Sequence, residues 1–183
     1  ININTEMNYW PAETCNLGET TAGLYNLIHN TLTSGRRTAR EMYGTDGWVI
    51  HHNTDGWGDT EPIDNVTAGI WPFGGAWLSL ALWDHYDFSR DDAYLRDKAY
   101  PVLREASLFV LKNLFDDGEG HLVSGPSVSP ENRYFTSSHQ KASLDVSPTT
   151  DVEITTALFR RTIRSSEILH TDEAFRAQLQ TAL

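Results

Sequence analysis

The chain has 183 residues, 39% of them hydrophobic, and a formal charge of −11 from 14 basic and 25 acidic residues; the length suits one domain or part of one. So acidic a surface repels a phosphate backbone, which excludes nucleic acid and anionic membrane as partners. No run of about 18 apolar residues offers a membrane span, Ile1 to Asn4 carry no basic or apolar leader, and the single Cys15 rules out an intramolecular disulfide or a Cys-rich zinc site.

In chain order, Ile1-Asn2-Ile3-Asn4 alternates apolar and polar residues and reads as extended chain, which places the Asn2 and Asn4 amides on one face. This abrupt start suggests a segment cut from a longer protein, so residues 1–183 are expected to form part of one domain, truncated at both ends. Leu24, Leu27, Ile28 and Leu32 recur at spacings of three and four and predict a helix over Leu17–Leu32. A second helix, Ser34–Tyr43, is closed by Gly44. From Thr45 to Gly69 periodicity is lost in a long loop rich in Gly, Asp, Asn and Trp, with Trp48–His51 its one strand-like stretch. Loops of this length in compact domains are functional or disordered, and this one is too aromatic for disorder.

Pro72–Tyr86 predicts an apolar helix buried on most sides, with Pro72 in its first turn. Ser89–Phe115 is amphipathic, with Pro101 forcing a break or a new start, after which Leu103, Ala106, Val110 and Leu114 make a stripe. A second long loop, Asp116–Pro148, holds a short hairpin around Gly120. Thr150 and Glu153 have capping-box spacing for a helix Asp151–Leu169, and Asp172 and Glu173 open a last one. Helix pairs alternating with long loops at one end predict an all-α chain, about half of an (α/α)6 barrel with functional loops; the same periodicity also fits a bundle.

Three polar clusters fall in loops, where function concentrates. Paired amides at Asn2 and Asn4 suit holding a water or sugar hydroxyls, or equally a turn. In His51-His52-Asn53-Thr54-Asp55-Gly56-Trp57, adjacent histidines cannot readily share one metal and no Cys stands nearby, so no metal site is expected. The mixed donors, acceptors and ring match sugar recognition; anchoring of the loop by Trp48 and Trp57 is the alternative. Glu131 follows Pro130 in a Ser/Pro-rich loop, where a carboxyl partly enclosed by aromatic rings has its pKa raised and can act as a glycosidase acid. A solvated loop carboxylate is the other reading. Asp59, Glu61 and Asp64 lack the spacing of an EF-hand loop, and Arg36, Arg37 and Arg40 are explained by surface pairing. No nucleophile elbow, phosphate loop or dinucleotide fingerprint is present, and no cofactor is expected.

Asn2 to Glu13 (NINTEMNYWPAE), Trp48 to Gly58 (WVIHHNTDGWG), Trp71 to Trp77 (WPFGGAW) and Ser127 to Asn132 (SVSPEN) together resemble glycoside hydrolase family 95, the inverting α-L-fucosidases acting on terminal α-1,2-linked fucose. The motifs stand in the family's order and span nearly the whole chain. The resemblance implies that Glu131 is the general acid, and that Asn2 and Asn4 position the attacking water, assisted by an Asp in a later loop that this chain does not match. His51, His52, Asn53, Asp55, Trp57, Trp71 and Trp77 are the implied substrate wall, and a fucosylated glycan is the implied partner. An α-L-galactosidase on the same scaffold and a non-catalytic sugar-binding fragment are the alternatives. The family's members are commonly secreted or at the cell surface, and half a barrel is expected to self-associate through exposed apolar helices.

Overall fold

A computed structural model describes residues 2–183. It is helical, with α1 (Asn2–Tyr9), α2 (Pro11–Thr14), a 3-10 turn (Gly18–Thr20), α3 (Thr21–Tyr43), α4 (Val66–Gly69), α5 (Gly74–Ser89), α6 (Asp92–Tyr94), a π-turn (Leu95–Ala99), α7 (Tyr100–Asn113), α8 (Thr149–Leu169) and α9 (Glu173–Ala182). Six two-residue strands lie between α7 and α8 and pair antiparallel: β1 (Phe115–Asp116) with β2 (Leu122–Val123), β3 (Ser127–Val128) with β6 (Leu144–Asp145), and β4 (Tyr134–Phe135) with β5 (Lys141–Ala142). The β1–β2 pair is the hairpin expected around Gly120.

The architecture is that of part of an (α/α)6 barrel: α5 and α8 pack side by side, while α3, α7 and α9 back them, with α7 lying against both. Leu78, Leu82, Leu103, Phe109, Leu158 and Phe159 are buried where these helices meet. Polar ties fix the register. Arg36 on α3 grips Glu105 on α7 through Nε at 2.6 Å and a second guanidinium nitrogen at 2.5 Å, Ser107 and Thr162 join α7 to α8 at 2.8 Å, and Arg161 on α8 donates to the Leu80 carbonyl on α5 at 2.8 Å.

Three local expectations are corrected and one is met. The extended start is helical from Asn2 onward, so positions two apart lie on nearly opposite sides of α1 rather than on one face; Ile1 and the Asn2 side chain lie outside the described residues. The two helices expected over Leu17–Tyr43 are one 23-residue helix, ended as predicted by Gly44 at φ 64°. Its Gly35 does not break it, because the glycine face is where Trp48 packs. Pro101 marks a new start, as expected: it sits in the first turn of α7, directly after the π-turn Leu95–Ala99. Finally, α8 starts at Thr149 with Pro148 as cap and no side-chain capping bond, so Thr150 is free to face the loops. Among the described residues no helix is long and apolar enough to cross a membrane.

Candidate functional site

Both long loops deliver their residues to the N-terminal ends of α5 and α8. At α5 the cause is Gly74-Gly75: a Cβ on Gly74 would stand 2.1 Å from the His51 carbonyl oxygen, and one on Gly75 would stand 2.9 Å from the Ile50 nitrogen. Without side chains there, residues 49–51 run directly across the first turn, and the Gly75 N–H donates to the Ile50 carbonyl at 3.0 Å. That crossing carries His52 to the mouth of α5.

At α8 the Ser129–Asn132 turn is held at both ends. Val128 is fully buried and pairs with Leu144 across β3 and β6, the Asn132 N–H donates to the Ser129 carbonyl at 2.6 Å, and Asn132 Nδ2 donates to Ser129 Oγ at 3.1 Å. Glu131 stands on this turn.

The two ends meet in an open cleft of about 410 Å³ lined by Ile3, His52, Trp71, Trp77, Ser129, Pro130, Glu131, Asn132 and Thr150. Glu131 and its neighbour Asn132 are exposed at the rim, so the enclosure by aromatic rings expected for Glu131 is not made by the described residues. Trp71 is fully buried and forms the floor, while half-buried Trp77 is the ring open to a ligand; the two meet edge to face at 6.0 Å and 82°. His52 is buried, and its Nδ1 has no hydrogen-bond partner among the described residues.

The other predicted wall residues are placed differently. His51 is fully buried and both its ring nitrogens are occupied: Nδ1 lies 2.7 Å from the Thr60 carbonyl and must donate to it, so Nε2 accepts from the Tyr43 hydroxyl at 2.5 Å. Burial pushes its pKa down, keeping the ring neutral in this tautomer. Asn53 and Asp55 line a neighbouring cavity of about 140 Å³ with His52, where the Asn53 Oδ1 also has no hydrogen-bond partner among the described residues. Asp55 spends its Oδ1 on the backbone N–H groups of Trp57, at 2.9 Å, and Asp59, at 3.2 Å. Trp57 is 90% exposed. Asn4 is exposed on α1 beside the cleft-lining Ile3 but is not itself among the lining residues.

Two further acids matter here, of which Glu6 was not singled out by the sequence. Asp151 is 1% exposed beneath the floor and bonds the Trp71 indole. Glu6 is 4% exposed, with neither carboxyl oxygen partnered among the described residues. It lines a cavity of about 280 Å³ that Trp77 also borders, with Tyr9, Trp10, Asp84 and Arg161. Burial pushes the Glu6 pKa up to about 7. Helical spacing from Asn2 would have signalled Glu6 had the segment been read as helix. At the β1–β2 turn Asp117, Glu119 and His121 bring ligand-type atoms within 4.8 Å of one another; all three are exposed, and Asp117 already accepts from the backbone of Glu119 and His121.

A family model for the glycosyl hydrolase family 95 catalytic domain matches residues 1–183. Alpha-L-fucosidase 2 of Arabidopsis thaliana is 36% identical over 170 residues, covering 92% of this chain and 20% of that protein. Probable alpha-fucosidase A of Aspergillus niger is 38% identical over 136 residues, 72% of this chain and 17% of that protein. The chain thus spans about a fifth of the length of the curated relatives it matches.

Proposed function

Because the chain belongs to the glycosyl hydrolase family 95 catalytic domains, we propose that it is part of the catalytic domain of an α-L-fucosidase and that Glu131 is its general acid. The observation that carries this reading is the convergence of Glu131 with His52, Trp71 and Trp77 in one cleft, from sequence positions up to 79 apart. An apolar ring beside a proton source suits a terminal deoxy sugar: Trp77 offers a face for C–H groups and a methyl, while His52 and Asn132 offer polar atoms to hydroxyls.

The reaction proposed is hydrolysis with inversion. Glu131 donates its proton to the glycosidic oxygen as the bond to the anomeric carbon breaks, and a water attacks that carbon from the opposite face, losing a proton to the base side. Asn2 and Asn4 are proposed to orient that water, in keeping with the placement of α1 beside the cleft. An amide is too weak a base to take the proton, and the family resemblance implies that an Asp without a match in these residues assists it. The α-1,2 linkage is proposed on the family resemblance.

The test is turnover of 2′-fucosyllactose by the parent protein, with the released sugar followed by NMR. Fucose appearing first as the β-anomer, and a loss of about 10²–10⁴-fold in Glu131→Gln, are expected for an inverting enzyme deprived of its acid. First release as the α-anomer contradicts inversion, and an active Glu131→Gln contradicts the acid assignment.

A further inference from the structure

A carboxyl group buried without a cation is an expensive choice where an apolar side chain would fill the space. Asp151, the third residue of α8, is such a group: it is 1% exposed, and none of the ion pairs among the described residues involves it. Its partners are neutral donors from two other segments. Oδ1 accepts from Trp71 Nε1–H at 2.9 Å, and Oδ2 accepts from the Ser124 hydroxyl at 2.8 Å. Ser124 is itself pinned to the residues leading into α8, its N–H donating to Ser147 Oγ at 2.8 Å and its carbonyl accepting from the Ser147 N–H at 2.9 Å.

The Trp71 indole therefore has its rotation about the ring axis set by one acceptor. Its ring in turn abuts Trp77 edge to face at 6.0 Å and Phe73 at 6.4 Å. The next residue back along α8, Thr150, lines the cleft and lies 3.4 Å from Ser129 across hydroxyl oxygens. One turn of α8 thus touches both the turn that carries Glu131 and, through Asp151, the aromatic floor opposite it.

We propose that Asp151 is a positioning residue of the sugar cleft: by holding Trp71 through its indole N–H, it fixes the Trp71–Trp77 corner that the substrate ring meets. The proposal deepens the fucosidase reading and rests on it for the identity of the ligand. Burial raises the Asp151 pKa, against the hydrogen bonds it accepts; an acceptor is retained whether the group is ionised or protonated, so the hold on Trp71 does not require charge.

The parent protein is compared with its Asp151→Asn, Asp151→Leu, Trp71→Phe and Asp151→Leu/Trp71→Phe forms. Two readouts are taken: KM and kcat for 2′-fucosyllactose, and the exciton couplet of the Trp71–Trp77 pair in circular dichroism, assigned by its loss in Trp71→Phe. Asn keeps an acceptor oxygen, so Asp151→Asn is expected to retain both the couplet and KM. Asp151→Leu is expected to weaken the couplet and raise KM by about tenfold, the scale of one net hydrogen bond, with kcat moved less. The double variant is expected to be no worse in KM than Asp151→Leu alone, because both remove one interaction. An unchanged couplet in Asp151→Leu, or effects of Leu and Phe that multiply, overturns the proposal. If Asp151→Leu does not fold, Asp151→Asn and Trp71→Phe decide it: KM retained in the first and raised in the second supports the hold through the indole N–H, and equal KM in both overturns it. Should the wild-type protein not cleave the fucoside, the catalytic reading fails, and the couplet alone still decides whether Asp151 positions the corner.

Discussion

At the scale of single residues, the two histidines of the WVIHHNTDG motif divide between structure and site. His51 is a neutral core ring clamped between Tyr43 and the Thr60 carbonyl, and His52 looks into the cleft. Sequence type alone gave both the same standing, since burial and partner choice are decided by how residues 49–51 cross α5. Tyr43→Phe removes the hydroxyl donated to His51 and is expected to lower stability by about 1 kcal/mol, and His51→Ala by about 3 kcal/mol, both with KM unmoved; denaturant titration and kinetics check this pair. Glu6 gives a pH dependence. Its folded pKa of about 7 lies above its ordinary 4.5, so the stability of the neutral buried carboxyl is fully present below about pH 4.5 and lost as pH rises through 7, by up to roughly 3 kcal/mol. Glu6→Gln cannot ionise and is expected to raise the apparent melting temperature at pH 8 while changing it little at pH 5; an equal shift at both values would contradict the assignment.

Among the elements, what the pattern makes legible is the long helices and their stops. Leu24, Leu27, Ile28 and Leu32 announce α3, and Gly44 ends it where a left-handed residue is needed. Less visible was α1, because Ile-Asn-Ile-Asn has the alternation of a strand and only packing against α5 selects the helix. The Asp151–Trp71 bond joins residues 80 apart, a pairing that no local spacing encodes. Gly74-Gly75, by contrast, could be read as helix-breaking, yet they form the first turn of α5 because the loop crosses it. Gly74→Ala would drive a Cβ into the His51 carbonyl. It is expected to cost about 1–3 kcal/mol and to displace His52, lowering turnover. Gly56→Ala, with nothing within 4 Å, serves as the comparison and is expected to be neutral in both thermal unfolding and turnover.

For the molecule as a whole, α5 and α8 form the wall of a barrel whose cleft opens where both helices begin. Large apolar side chains remain exposed on this chain, among them Met7, Trp10, Phe88 and Val152, and a surface of that kind favours association. Residues 1–183 expressed alone are therefore expected to sediment as oligomers at micromolar concentration, and a dilution-independent monomer would count against that expectation. The central claim is narrower: Glu131 delivers a proton to the departing oxygen. The most direct measurement is to compare the parent protein and its Glu131→Gln form on 2′-fucosyllactose and on α-L-fucosyl fluoride, whose leaving group departs without protonation. The account predicts that Glu131→Gln loses the glycan by about 10²–10⁴-fold and largely keeps the fluoride; equal loss on both substrates, or no loss on the glycan, would contradict it.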